Sequence, residues 1–298
     1  MMCTAMKRII PVLVFVALAF CTSPAFAAAE AKSGTLLVAF GTTMPSAMPA
    51  LDAINASYEK AGKPIVWAYT SDIIRNKLAK RGKKVFSVNE AMNECARLGI
   101  KNLTIQSLHV APAEEFMQLN RMIAKNLAKN PGRFESVKLG HPLLESEKDL
   151  NEVVDAVLAA LSSKRKPGEA LVLMGHGNDR GPADLLMAAT HAAFNAKDPL
   201  VYLATVEGAN SFDRILPLLK EKGVKHVWLQ PFMIVAGDHA NNDLAGSEDD
   251  SWASQLKAAG IATSANLKGL GELEGVRAVF LRHSADTTDD LVKGQKQD

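Results

Sequence analysis

The chain has 298 residues, 48% of them hydrophobic, which suits a sizeable core in two domains of ordinary size. Its 34 Lys and Arg nearly balance 32 Asp and Glu, for a formal charge of +2. No polybasic run occurs, which argues against nucleic acid or an anionic membrane surface as a partner.

The first segment reads as a targeting sequence. Lys7 and Arg8 precede the apolar run Ile9 to Phe20, and Ala25-Phe-Ala27 has the small-x-small form of a cleavage site. That run of 12 residues falls short of the roughly 20 that span a bilayer. A cleaved signal peptide over residues 1–27 implies export to the periplasm, with no stable membrane span afterwards. An uncleaved anchor is the alternative, and the bulky Phe20 argues against lipidation at Cys21. Cleavage removes Lys7, Arg8, Cys3 and Cys21 and brings the formal charge to zero. Only Cys95 then remains, so no intramolecular disulfide is available. Its helical surroundings make it a small apolar core residue.

Strand-like runs then alternate with helical patterns, the signature of a parallel sheet with covering helices. Thr35 to Thr42 forms the first strand and its exit, Pro64 to Asp72 the second, and Gly99 to Gln106 the third. Ser87-Val-Asn-Glu90 is a capping box for a helix that ends before Gly99. Ser146 is placed to cap an amphipathic helix from Glu147 to about Leu161, and Ser162 to Gly168 reads as a linker. The same order of parts then returns. Ala170 to His176 matches Thr35 to Thr42, Pro199 to Glu207 matches Pro64 to Asp72, and Gly223 to Gln230 matches Gly99 to Gln106. Asn210 is expected to cap the helix before Gly223, and Glu274 to about Ser284 forms the last helix. The polar tail after Asp286 is expected to fray. The pattern implies an internal duplication. Two similar α/β lobes follow, over residues 34–161 and 168–298, each with a mostly parallel sheet of about four strands flanked by helices. A ligand cleft is expected between them.

The duplication is asymmetric in its chemistry. His176, Glu207 and His239 each follow a predicted strand of the second lobe, where open α/β sheets bind ligands. Their counterparts in the first lobe are Thr42, Asp72 and Glu115. Two imidazoles and a carboxylate brought together would bind a divalent transition metal. Singly, each has a plainer role, as a hydrogen-bonded loop histidine or a carboxylate at a helix N-terminus. Asp238 is the candidate to orient an imidazole from behind. His109 is a reserve candidate for the same cleft and His141 a loop residue, while His191, His226 and His283 read as structural or solvated. The acidic run Glu248 to Asp250 reads as an exposed cluster at a helix start. Neither a Gly-x-Gly-x-x-Gly nor a Walker loop is present, so no nucleotide is implied, and there is no Gly-x-Ser-x-Gly elbow.

Met174-Gly-His-Gly177, Val206-Glu-Gly208 and Val235-Ala-Gly-Asp-His-Ala240 resemble the anaerobic cobalt chelatases that act on sirohydrochlorin, the CbiK family. Val38-Ala-Phe-Gly-Thr-Thr43 and Ser107-Leu-His-Val110 extend the likeness over about residues 34–285. The resemblance implies a class II chelatase fold, like that of the ferrochelatases, with a tetrapyrrole between the lobes. It implies that His176, Glu207 and His239 bind the incoming metal, Co²⁺ or Fe²⁺, as a substrate. Insertion then needs no ATP, and His176 or His239 doubles as the base that takes pyrrole protons. Sirohydrochlorin is a polycarboxylate, so cationic or N–H-rich groups should line the cleft. Arg75 and the backbone of Gly41 to Thr43 are candidates, although Arg75 reads more simply as part of an exposed helix face. The signal peptide departs from the family, because corrin-ring synthesis is normally cytoplasmic. The competing readings are an exported metal or tetrapyrrole carrier without turnover, and a metal-dependent hydrolase. The oligomeric state, a homo-oligomer among the options, is left open.

Overall fold

A computed structural model describes residues 31–161, 163–178 and 183–294. The proposed signal peptide, with Cys3 and Cys21, lies outside them. The first sheet contains β1 (Ser33–Ala39), β2 (Ile65–Tyr69), β3 (Asn102–Ser107) and β4 (Ser136–Gly140). The second contains β5 (Ala170–Gly175), β6 (Val201–Thr205), β7 (His226–Pro231) and β8 (Ala262–Ala265). The strand orders are β2-β1-β3-β4 and β6-β5-β7-β8, and every pairing is parallel. The two halves therefore share one topology, as the repeat implied. The central strands explain the parallel arrangement. Leu36, Leu37 and Val38 of β1, and all of β5, are buried, as strands covered on both faces must be.

Ten helices cover the described sheets. They are α1 (Met48–Glu59), α2 (Asp72–Lys80), α3 (Val88–Arg97), α4 (Glu114–Lys129), α5 (Glu147–Leu161), α6 (Ala183–Lys197), α7 (Ile215–Glu221), α8 (Trp252–Ala258), α9 (Glu274–Asp286) and α10 (Leu291–Gly294). The Ser87–Glu90 capping box opens α3, and Ser146 Oγ accepts from Asp149 N at the start of α5. Asn210 does not cap α7. Its side chain donates to Asp184 O, and Ser211 starts a 3₁₀ turn that leads into α7. The acidic run Glu248 to Asp250 is exposed, and Ser251 supplies the cap of α8.

Three apolar clusters hold these layers. One lies between β1–β4 and helices α3 and α4, and a second between β5–β7 and helices α7 and α8. The third joins both sheets, with Leu37, Leu171, Phe232, Val153 of α5 and Phe280 of α9 in one continuous core. The last helix explains this sharing. Although it follows β8, α9 rests on β3, β4, α1 and α5, and Tyr58 Oη donates to Phe280 O. Asp149 of α5 accepts from Arg282 (2.7 Å) and His283 (3.0 Å) of α9. Nor does the tail fray directly after Asp286. Thr287 Oγ1 donates to Leu139 O, Asp290 Oδ1 accepts from Val137 N, and α10 lies against β4. Among the described residues no helix is long and apolar enough to cross a membrane.

Candidate metal-delivery site

The carboxyl ends of both sheets open on one cleft of about 650 Å³, a size typical of small-molecule sites. Leu108, Val110, Ile234 and Val235 give it apolar walls. His176, Glu207 and His239 all line it.

His176 leaves β5 immediately after Gly175. Its Nδ1 donates to Gly177 O (3.0 Å), so Nε2 keeps its lone pair. Gly177 adopts φ +75°, and a Cβ there would stand 2.0 Å from Glu207 O. Glycine is therefore required where the two loops meet. Glu207 N donates to His176 O (2.9 Å), which ties the loop after β6 to the loop after β5. Asp184, in the first turn of α6, braces both loops. Its carboxylate accepts from Ala209 N (2.7 Å) and lies 3.5 Å from Asn178 N.

His239 reaches the cleft by a different route from the one expected. β7 stops at Pro231, and the chain continues through a loop to a π-helical turn, Ala240–Leu244, with His239 at its start. This local irregularity is common at functional sites. The turn brings Asp243 under His239, and Nδ1 donates to Asp243 Oδ2 (2.6 Å). Asp238 was the expected partner, but its carboxylate accepts from Asn242 Nδ2 instead. The outcome is the same tautomer as at His176, with Nε2 free to bind a metal. The two rings stand edge to face with centroids 5.1 Å apart. Glu207 lines the same cleft. Among the described residues, no three His, Cys, Asp or Glu side chains are placed to hold a metal ion together, so Glu207 does not complete a three-ligand set with the two histidines.

The first lobe supplies the opposite wall. Glu115 of α4 lines the cleft and interacts electrostatically with His176 and Glu207. Loss of hydration raises its pKa, Glu207 adds to the rise, and His176 opposes it. A carboxylate held this way is a better proton acceptor than a hydrated one. His109 also lines the cleft. It is buried, its Nδ1 is 2.8 Å from Ser107 Oγ, and burial lowers its pKa to about 4, which keeps it neutral. Arg75 is neither a cleft cation nor part of an exposed helix face. Its guanidinium donates to Tyr69 O and Thr70 O and pairs with Asp72. Outside the cleft, His191 bonds Leu203 O, His226 contacts Ser264 and Glu169, and His141 faces Glu145.

Residues 33–289 match the family described as cobalt chelatase (CbiK). The chain belongs to the cobalt chelatase family. It is 37% identical over 254 residues to the sirohydrochlorin cobaltochelatase CbiKC of Nitratidesulfovibrio vulgaris, covering 85% of this chain and 89% of that one. It is 34% identical over 227 residues to the sirohydrochlorin cobaltochelatase of Salmonella typhimurium, covering 72% and 80%. Among solved structures, SirB from Bacillus subtilis with Fe³⁺ superposes with a TM-score of 0.61 at 15% identity, over 89% of this chain and 98% of that one. SirB from Bacillus subtilis subspecies spizizenii in complex with cobalt gives 0.58 at 14%, over 89% and 97%. These two likenesses establish the class II chelatase fold.

Three residues of this cobalt chelatase were hidden from the sequence reading. Asp243 carried a signal, since His239 and Asp243 have the i, i+4 spacing that meets on a helical turn. Glu115 was visible only as the repeat counterpart of His239. Asp184 sits in an ordinary helix start, and nothing in its neighbours marks it.

Proposed function

We propose that this chelatase inserts Co²⁺ into sirohydrochlorin within the interlobe cleft, without a nucleotide. The observation that carries the reading is the His176–His239 pair, each ring pinned at Nδ1 and opposed across the cleft by Glu115. Names of the 37% and 34% identical relatives support the same substrate and metal. His176 and His239 bind the arriving cation through Nε2, and Glu207 balances its charge. Imidazole and carboxylate accept Fe²⁺ as well as Co²⁺.

The reaction exchanges two pyrrole N–H protons for one divalent cation. Glu115 accepts one proton, for which its raised pKa suits it. An imidazole freed as the metal passes to the macrocycle accepts the other.

Mixing purified protein with metal-free sirohydrochlorin and Co²⁺, then Fe²⁺, while following the absorbance, tests this reading. Many turnovers per protein are expected. Stoichiometric binding without turnover would replace the enzyme by a carrier. We further propose that residues 1–27 direct export and are removed near Ala27. Cell fractionation and the intact mass of the mature protein test that. A cytoplasmic, full-length product would refute it.

A further inference from the structure

Among its described lining residues the cleft is rich in carboxylates and poor in cations. Carboxylates lie on both of its walls, Glu114 and Glu115 on α4 of the first lobe and Glu207 and Asp238 in the second. Among the described residues lining it, Lys77 of α2 is the one Lys or Arg. Lys77 is exposed at the mouth and has no described hydrogen bond or ion pair. Arg81 lies one turn along from Lys77, on the same side of the helix. Its Nη1 donates to Thr43 O (3.0 Å), which fastens the loop after β1 beside α2.

That loop offers hydrogen-bond donors. Among the described residues no group accepts from the backbone N–H of Gly41, Thr42 or Thr43. All three residues line the cleft, and Thr42 is only 6% exposed. Gly41 turns the chain at φ +106°, where a Cβ would stand 2.5 Å from the Tyr69 ring. Successive backbone amides without internal acceptors attract anions. Thr42 Oγ1 meanwhile accepts from Met44 N (3.1 Å), which steadies the loop.

We infer that the Gly41–Thr43 amides and Lys77 form a carboxylate subsite that seats a peripheral acid group of the tetrapyrrole. The inference rests on the chelatase reading and deepens it. The carboxylates of both walls repel the substrate's acid groups, and Lys77 on the α2 side attracts them. The macrocycle is thus turned so that its acid-bearing edge meets α2 while its nitrogens face His176 and His239. Lys77 is a specificity residue here, remote from the exchanging protons.

The test is fluorescence titration of metal-free sirohydrochlorin into the full protein and its variants, followed by steady-state insertion kinetics. Lys77→Glu should weaken tetrapyrrole binding roughly tenfold and Lys77→Gln about threefold, the scale of one exposed charge contact and its reversal. The dependence of binding on salt should fall in both variants. The KM for Co²⁺ should stay within about twofold of wild type. Lys80→Glu, a charge reversal on the same helix outside the cleft, should bind as wild type. Binding by Lys77→Glu within twofold of wild type, or equal losses for Lys77→Glu and Lys80→Glu, would overturn the subsite. Wild type that binds sirohydrochlorin without inserting metal sinks the chelatase reading, and the Lys77→Glu binding ratio still decides the subsite. Wild type that does not bind sirohydrochlorin overturns both.

Discussion

Replacing Asp243 by Asn isolates the step at which the metal is held. Asp243 Oδ2 accepts from His239 Nδ1 at 2.6 Å, which fixes the ring and raises the electron density at Nε2. Partners of this kind typically change metal affinity or activity by about 10- to 100-fold when mutated. Both side chains are more than a third exposed, at 37% and 45%, and water screens their attraction. The lower end of the range therefore applies, about a tenfold rise in the KM for Co²⁺, or ~1.4 kcal/mol. Initial rates of cobalt insertion over a range of Co²⁺ at saturating sirohydrochlorin measure it. Asp238→Asn serves as the contrast, because the Asp238 carboxylate accepts from Asn242 and not from imidazole, and it should shift the KM by less than about threefold. A KM within twofold of wild type in Asp243→Asn, or equal shifts in both variants, would refute the role given to Asp243.

Gly177→Ala should abolish insertion, since the new Cβ meets Glu207 O at 2.0 Å and φ is +75°; retained activity with an intact fold would contradict the loop geometry. Phe280→Ala should cost about 3–5 kcal/mol and weaken both lobes in a single transition, because Phe280 belongs to the core they share; calorimetry showing a lobe that melts unchanged would disprove the sharing. Acid should lower the stability over two pH windows. His109 has its pKa lowered by burial from 6.5 to about 4, so its share of stability is complete above 6.5 and is lost as pH falls toward 4. For Asp149, burial alone would raise the pKa, but bonds from Ser146, Arg282 and His283 outweigh it and bring it from 3.8 to about 2. Its share, roughly 2 kcal/mol, is present above 3.8 and is lost as pH falls to 2. Denaturant titrations from pH 7 to 2 check both windows, and Asp149→Asn should remove the lower one; a variant that keeps it would assign that window elsewhere.

The strands were legible because parallel strands buried on both faces are unbroken apolar runs, as Leu36–Val38 and Leu171–Met174 show. Their repeated order led directly to the twin sheets. The cleft and its three candidate residues followed from strand ends and family motifs. The departures have local causes. The exit from β7 ends in a helical turn that a strand-end reading does not anticipate, so the i, i+4 partner Asp243 was missed and Asp238 chosen. Asn210 and Ser211 are both good caps, and backbone geometry chose Ser211. The docking of α9 on the first sheet is a long-range contact, and residue pattern alone does not encode it. Arg75 looked exposed because helical spacing does not reveal that its guanidinium folds back onto the carbonyls of Tyr69 and Thr70.

His176 and His239 are proposed to hand a metal to a tetrapyrrole. The initial rate of Co²⁺ insertion into sirohydrochlorin by a His176→Ala/His239→Ala double variant, compared with wild type, tests it most directly. Wild type should turn over rapidly, and the folded double variant should insert metal only at the uncatalysed background rate. Insertion by the double variant at the wild-type rate would contradict it.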